Sequence, residues 1–277
     1  MSEHCWAEDF SYRYFINILK AIKSNFQVHL LSDAPKFIDI FDDSKYKLIL
    51  RHDVDVSLKR ALEMAQIEKK YDISATYMVI ANYQAITEWP LYNVKDRTSK
   101  DILKNLIDLG HEIGLHYVLD DKEQCYDYKN SEIKQNILST RKLLEDSIKK
   151  PVKTLSFHRP KSKQYEGPLI DCGMINAYSK KLMCKRENLS KSKVLYHSDS
   201  GGIWKYGEPL PFLIEPTKPL LQLLIHPIWW GELHLPWKER LHVFRSTETS
   251  DMSFEEAKKF DVALNKTLPE QFNYELY

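Results

Sequence analysis

Several familiar signatures are missing from this chain, and each absence narrows what it can be. No window approaches the roughly 18 uninterrupted apolar residues of a membrane span. The four cysteines, Cys5, Cys125, Cys172 and Cys184, form no C-x-x-C pair, so neither a zinc knuckle nor a disulfide frame is indicated. Charge of one sign is lacking too: 40 Lys plus Arg stand against 39 Asp plus Glu, and the formal charge is +1. With basic residues dispersed, no field draws the chain to nucleic acid or anionic lipid. Eight glycines and twelve prolines exclude a fibrous or low-complexity chain. No G-x-G-x-x-G or phosphate-binding loop comes after the first apolar run, which counts against a nucleotide cofactor. The opening residues are acidic where a signal peptide needs a basic segment and an apolar core, so the expected location is cytoplasmic.

What is present is a chain of 277 residues, 43% hydrophobic and 12% aromatic, enough for a substantial core. That length suits one α/β barrel, and without a linker the whole of 1–277 reads as a single domain. Tyr12, Phe15, Ile16, Leu19 and Ile22 fall at helical spacing and predict an amphipathic helix over about 10–26. Short β-like runs then occur at 47–50, 75–80, 112–115, 152–157, 175–178, 194–197 and 220–225. Between them lie predicted helices at 57–70, 99–109 and 131–149. Ser57 is placed to cap the first of these, whose stripe is Leu58, Ala61, Leu62 and Ala65. Pro151 ends the last, whose stripe holds Ile133, Ile137, Leu143 and Leu144. Strands alternating with such helices imply a largely parallel sheet, and seven strands favour a barrel or near-barrel. Helices within about 237–272 should pack outside it.

The informative residues stand at the carboxyl end of each apolar run. The first run leads into Arg51-His52-Asp53-Val54-Asp55; others lead into His116, His158-Arg159, His197-Ser198-Asp199 and His226. In a parallel barrel these strand ends share one rim, the face that carries active sites. A lone D-x-D is more often a turn or helix cap, and a lone histidine more often a hydrogen-bonded core residue. On a strand, however, residues two apart face the same way, so Asp53 and Asp55 can look into one pocket. A carboxylate with neutral imidazoles suits zinc or a similar divalent ion. A second carboxylate can then serve as general base, and a further histidine can protonate a leaving amine. That inventory points to metal-assisted hydrolysis of an amide or ester.

At these residues the chain resembles the polysaccharide deacetylase superfamily, whose carbohydrate esterase members share the NodB homology domain. It is most similar to a subgroup opening with R-H-D-V-D, here 51–55. G-H-E-I-G-L-H-Y stands at 110–117, S-F-H-R-P at 156–160, S-D-S-G-G-x-W at 198–204 and L-L-I-H-P at 223–227. The resemblance spans about residues 10–230 with the motifs in family order. It implies a distorted (β/α)7 barrel and metal-dependent removal of an N-acetyl or similar acyl group from an amino sugar or glycan precursor. Carried over by position, Asp53 matches the catalytic base, Asp55 the metal aspartate and His116 the first metal histidine. His226 matches the catalytic acid, and Asp199 the aspartate that orients it.

Two motifs depart from the family. Asp120 stands where a second histidine usually comes after His116, and His158 occupies the place of an arginine, with Arg159 next to it. His158 is therefore expected to supply the third ligand of a single divalent ion, with Asp120 as the alternative. Zinc is the expected ion; nickel, cobalt and manganese are the others considered. Arg159 could pair with Asp53, grip an anionic part of a substrate, or form a surface salt bridge. His52 points opposite to Asp53 and Asp55 and is expected to pack in the core, with support of the site from behind as the alternative; His111 is expected to be structural. Trp204, Trp229 and Trp230 could stack on a sugar or simply pack. The expected substrate is an activated or lipid-linked amino sugar made inside the cell. Hydrolysis of a non-sugar amide or cyclic imide is one alternative, and an inactive barrel binding a glycan or protein is another. Retention of both base and acid argues against the inactive reading. No oligomeric state is indicated.

Overall fold

All seven apolar runs become strands. In the computed structural model, which describes residues 9–39, 46–82, 91–119, 129–160, 167–183, 192–204 and 206–267, nine strands form one sheet. They are β1 (Gln27–His29), β2 (Lys47–Val54), β3 (Thr76–Ile80), β4 (Glu112–Val118), β5 (Thr154–His158), β6 (Ile170–Asp171), β7 (Met174–Asn176), β8 (Val194–Ser198) and β9 (Leu220–Ile225). The order is β6-β7-β5-β4-β3-β2-β9-β8, with β1 alongside the start of β2. Only the β6–β7 pair is antiparallel. Seven strands, β7 to β8 along that path, therefore run in one direction and curl into a half-barrel. Among the described residues the path ends at β6 and β8 without those two pairing, which accords with a distorted rather than a closed barrel.

Helices fill the crossovers as the periodicity predicts. They are α1 (Tyr12–Asn25), α2 (Leu58–Lys70), α3 (Arg97–Asp108), α4 (Ser131–Ile148), α5 (Leu210–Ile214), α6 (Trp237–Glu248) and α7 (Phe254–Thr267). Ser57 caps α2 as expected, its hydroxyl accepting from the Arg60 N–H at 3.3 Å. Asn130 caps α4 through the N–H groups of Glu132 and Ile133. α3 starts at Arg97, two residues before the predicted onset, because Asp96 rather than Ser99 takes the extended cap conformation.

The strand period of two divides the core. Leu48, Leu50, Tyr77, Val79, Leu115, Leu155 and Leu223 join one cluster with Phe15, Ile18, Ala61, Leu103 and Ile137 from the helices. Ile49, Met78, Ile175, Val194 and Leu220 face the other way and pack with Leu31 and Ala34 of a 3-10 turn at Leu31–Lys36. Each Leu, Ile, Val, Phe or Met side chain so buried contributes roughly 1.5–3 kcal/mol by leaving water. Gly114 on β4 belongs to that inner face. A Cβ there would fall inside contact distance of Thr154 Oγ1 and Met78 Sδ, so the curl of β3, β4 and β5 requires glycine at this point. Leu241 and Phe244 of α6, with Phe260 and Leu264 of α7, attach to the outer cluster. Residues 268–272 of the expected C-terminal helices lie outside the described set.

Candidate active site

Parallel pairing carries the polar residues to one rim. β2 pairs with β3 and β9, β3 with β4, and β4 with β5, so the carboxyl ends of β2, β4, β5 and β9 converge. Asp55 is the hub. His116 Nε2 lies 3.1 Å from Asp55 Oδ1, while His158 Nε2 and His226 Nε2 each lie 3.9 Å from Asp55 Oδ2. Asp53, on the same face of β2, has its Oδ2 3.8 Å from His116 Nε2. The rings of His116 and His158 meet edge to face at 5.5 Å. The four side chains around Asp55 thus come from four different elements of the chain, far apart in sequence.

Asp53 is gripped from below. Arg51 precedes it by two residues on β2, and its Nε and Nη2 donate to the two carboxylate oxygens at 2.8 and 2.6 Å. The guanidinium is fully buried, donates also to Tyr178 Oη and Gln222 Oε1, and lies 4.5 Å over the Tyr178 ring. Burial alone would push the Asp53 carboxyl up; Arg51 overcomes this and holds it below the usual carboxylate range. Asp55 is likewise held low against its burial, by the His158, His116 and His226 imidazoles. Burial drives His158 down to about 4, so it is a neutral imidazole at neutral pH. The strand end between the two aspartates is pinned by Tyr92, whose hydroxyl donates to the Val54 carbonyl at 2.6 Å and accepts from the Ile80 N–H at 2.9 Å.

His226 has the opposite character. Asp199 is fully buried, accepts from the His226 backbone N–H at 2.9 Å, and stands 2.6 Å from His226 Nδ1. Its other oxygen accepts from Trp230 Nε1 at 2.9 Å. Burial lowers the His226 pKa, but Asp199 outweighs it, and the imidazolium persists to about 9. One rim thus holds a carboxylate kept ionised, a neutral imidazole and a protonated one.

Arg159, exposed and in the left-handed region at φ 49°, does not hold Asp53; both oxygens of Asp53 are taken by Arg51. Its positive charge does contribute to the depression of His158. Asp120 lies outside the described residues. His52 and His111 are structural, as expected. His52 points to the outer face, with Nε2 2.6 Å from Glu68 Oε1, and His111 Nδ1 accepts from the Ala75 N–H at 3.1 Å. The three tryptophans are buried. Trp230 packs against Phe10, Tyr14 and Phe15 and holds Asp199 through its N–H, so its ring is not offered to a sugar. Trp204 stacks on Phe10 with centroids 5.9 Å apart.

Sequence reasoning passed over Arg51, Ser156, Tyr92 and Glu68. Arg51 and Ser156 were discoverable, since each precedes a chosen site residue by two on a strand and so shares its face. Glu68 extends the apolar stripe of α2 through Ala61 and Ala65, an unusual place for a carboxylate.

These donors have the chemistry of a divalent-cation site. Asp55 Oδ1 is buried and, despite the 3.1 Å approach of His116 Nε2, has no partner in hydrogen-bonding geometry. Nitrogen and oxygen ligands on one ion, bonded at about 2.0–2.2 Å, lie roughly 2.8–3.6 Å apart as the angle between them opens from 90° to tetrahedral. The Asp55–His116 spacing satisfies this, and the two 3.9 Å separations exceed it. Among the described residues, no three donors are already gathered closely enough to enclose an ion. The residue types fit a zinc-like ion; the His158 side would have to close by about 0.3 Å.

No family model matches the chain, and no curated protein matches it significantly. Solved structures do. A CE4 family pseudoenzyme from Bacillus anthracis is 16% identical, with a TM-score of 0.37 over 74% of this chain and 61% of that one. The deacetylase PplD of Streptococcus pyogenes, solved with acetate, is 15% identical, with a TM-score of 0.41 over 54% of this chain and 64% of that one. A family 4 acetyl xylan esterase from Clostridium thermocellum, solved with a cobalt ion, is 15% identical, with a TM-score of 0.36 over 80% and 92%. The chain spans less than two thirds of the length of the first two.

Proposed function

We propose that this chain belongs to the polysaccharide deacetylase superfamily and is a metal-dependent hydrolase that removes an N-acetyl or similar acyl group from an amino sugar or glycan precursor. The observation that carries this reading is the convergence of His116, His158 and His226 on Asp55, with His116 Nε2 3.1 Å from its buried Oδ1, beside an Asp53 that Arg51 keeps ionised. The ordered motifs from 51–55 to 223–227 support the same assignment.

Asp55, His116 and His158 are the residues to hold the ion. A bound divalent cation supplies Lewis acidity to the acyl oxygen and lowers the pKa of water. Asp53 accepts the proton of the water that attacks the acyl carbon, a task for which its carboxylate must be ionised. His226, kept as imidazolium by Asp199, donates its proton to the departing nitrogen. The carbon–nitrogen bond breaks, and a carboxylic acid and a free amine result. His226 stands as close to Asp55 as His158 does; it is assigned the acid from its place in the L-L-I-H-P motif at 223–227 and its contact with Asp199, and His158 is assigned the ligand. Arg159, exposed at the carboxyl end of β5 beside His158, carries a guanidinium suited to an anionic group such as the phosphate of an activated sugar.

Three measurements test the proposal. Elemental mass spectrometry of protein purified without chelator should find near one equivalent of zinc or a similar ion. Acetate release should then be greater from nucleotide-linked N-acetyl sugars than from neutral N-acetylglucosamine oligomers or small cyclic imides. Asp53→Asn should lower turnover roughly 100- to 10,000-fold with metal retained. Protein that takes up no divalent ion and cleaves none of these amides overturns the reading in favour of a binding barrel.

A further inference from the structure

Ser156 lies directly across the β4–β5 ladder from His116, two residues before His158 and on the same inner face. Its Oγ is 2.6 Å from His116 Nδ1, and both residues are buried. An imidazole held at Nδ1 has one direction left for Nε2, and here that direction meets Asp55 at 3.1 Å and Asp53 at 3.8 Å. The partner is a hydroxyl, not a carboxylate or carbonyl, and the difference matters. A hydroxyl can donate or accept, whereas a carboxylate only accepts. With a proton on Nε2 facing the two carboxylates, the Ser156 hydroxyl donates to Nδ1. With a cation on Nε2, the ring proton moves to Nδ1 and the hydroxyl accepts it. The ring need not turn between the two states.

We propose that Ser156 is the positioning residue of His116, holding the ring in one orientation with or without a divalent cation and thereby setting the affinity of the site for zinc. The proposal rests on the cation reading of Asp55, His116 and His158 given above. Partners that hold the second nitrogen of a ligating histidine are worth roughly 10- to 100-fold in metal affinity.

The test compares the full chain, Ser156→Ala and Ser156→Thr, each stripped of metal and titrated with zinc against a chromophoric chelator. Ser156→Ala should bind zinc roughly 10- to 100-fold more weakly, and Ser156→Thr, which restores the hydroxyl, within about threefold of the parent. The cobalt-loaded parent and threonine proteins should share a visible spectrum from which the alanine protein departs. Nitrogen-15 spectra of the imidazole should show the ring proton on Nε2 without zinc and on Nδ1 with it, in the parent protein. If the alanine protein does not fold, Ser156→Cys, close in size and a weaker hydrogen-bonding group, carries the same expectation. Alanine and parent proteins of equal zinc affinity and identical cobalt spectra overturn the role of Ser156 while leaving the cation site intact. A parent protein that binds neither zinc nor cobalt overturns both.

Discussion

Arg51 and Asp53 stand two residues apart on β2, and the guanidinium closes on both carboxylate oxygens without leaving its own strand. The pair is buried, with side-chain exposures of 0% and 2%. Removing one partner of such a pair strands the other charge in the interior. Arg51→Met should therefore destabilise the protein by about 3–5 kcal/mol. Arg51→Met combined with Asp53→Asn should be less destabilised than Arg51→Met alone, because no unpaired carboxylate is left. Urea unfolding midpoints of the parent, Arg51→Met, Asp53→Asn and the double variant measure this. Additive losses would mean that the fork contributes no coupling.

The imidazoles set a pH window for stability in the metal-free protein. His226 holds its proton to about 9 when folded, against 6.5 in the unfolded chain, so between these values the folded state binds more protons. Its contribution is complete below pH 6.5 and is lost as pH rises toward 9. His158 acts in the opposite sense: with a folded pKa of about 4, its contribution is lost as pH falls from 6.5. The stability difference between the parent protein and His226→Gln, tracked by urea unfolding, should shrink as pH rises through the upper window. A difference that stays constant from pH 6 to about 9.5 would contradict the Asp199–His226 pairing.

On the outer face of β2, His52 Nε2 and the Tyr77 hydroxyl meet the fully buried Glu68 at 2.6 and 2.8 Å. Glu68→Leu should leave both without a partner and cost at least about 2 kcal/mol. Because α2 and β3 carry this cluster away from the rim, zinc uptake by the folded variant should match the parent. A variant that is folded but no longer binds zinc would show that the two faces of β2 are coupled.

Much of this was legible in the sequence because a parallel sheet writes itself as apolar runs. Buried on both faces, β2, β3, β4, β5 and β9 needed no alternation to be seen, and the polar residues at the ends of the runs marked the rim. What the pattern leaves open is reach. Two arginines, Arg51 and Arg159, were within a few residues of site positions. Spacing gives the face of a residue but not the path of a long side chain, so the fork on Asp53 fell to the one that shares its strand. Trp230 shows the same limit: an indole next to a strand-end histidine suits a sugar platform or a hydrogen bond, and only the depth of burial decides for Asp199. Glu68 was hidden because helix periodicity treats a carboxylate as surface unless its buried partners are known.

Beneath the rim there is no room for a side chain at Gly114, where β4 passes between Met78 of β3 and Thr154 of β5. Its neighbours along the inner face are Glu112 and His116, so any outward shift of β4 here would move His116 away from Asp55. Gly114→Ala should destabilise the protein by about 1–3 kcal/mol through overpacking. The second substitution Thr154→Ala removes the hydroxyl that the new methyl meets and should recover part of that loss, since the Met78 side chain is flexible enough to yield. Thermal unfolding of the single and double variants measures the recovery, and zinc titration of both reports on His116. If the double variant regains stability and zinc affinity together, the position of β4 links the packing layer to the site. Recovery of stability without zinc affinity would locate the disturbance in the His116 ring alone.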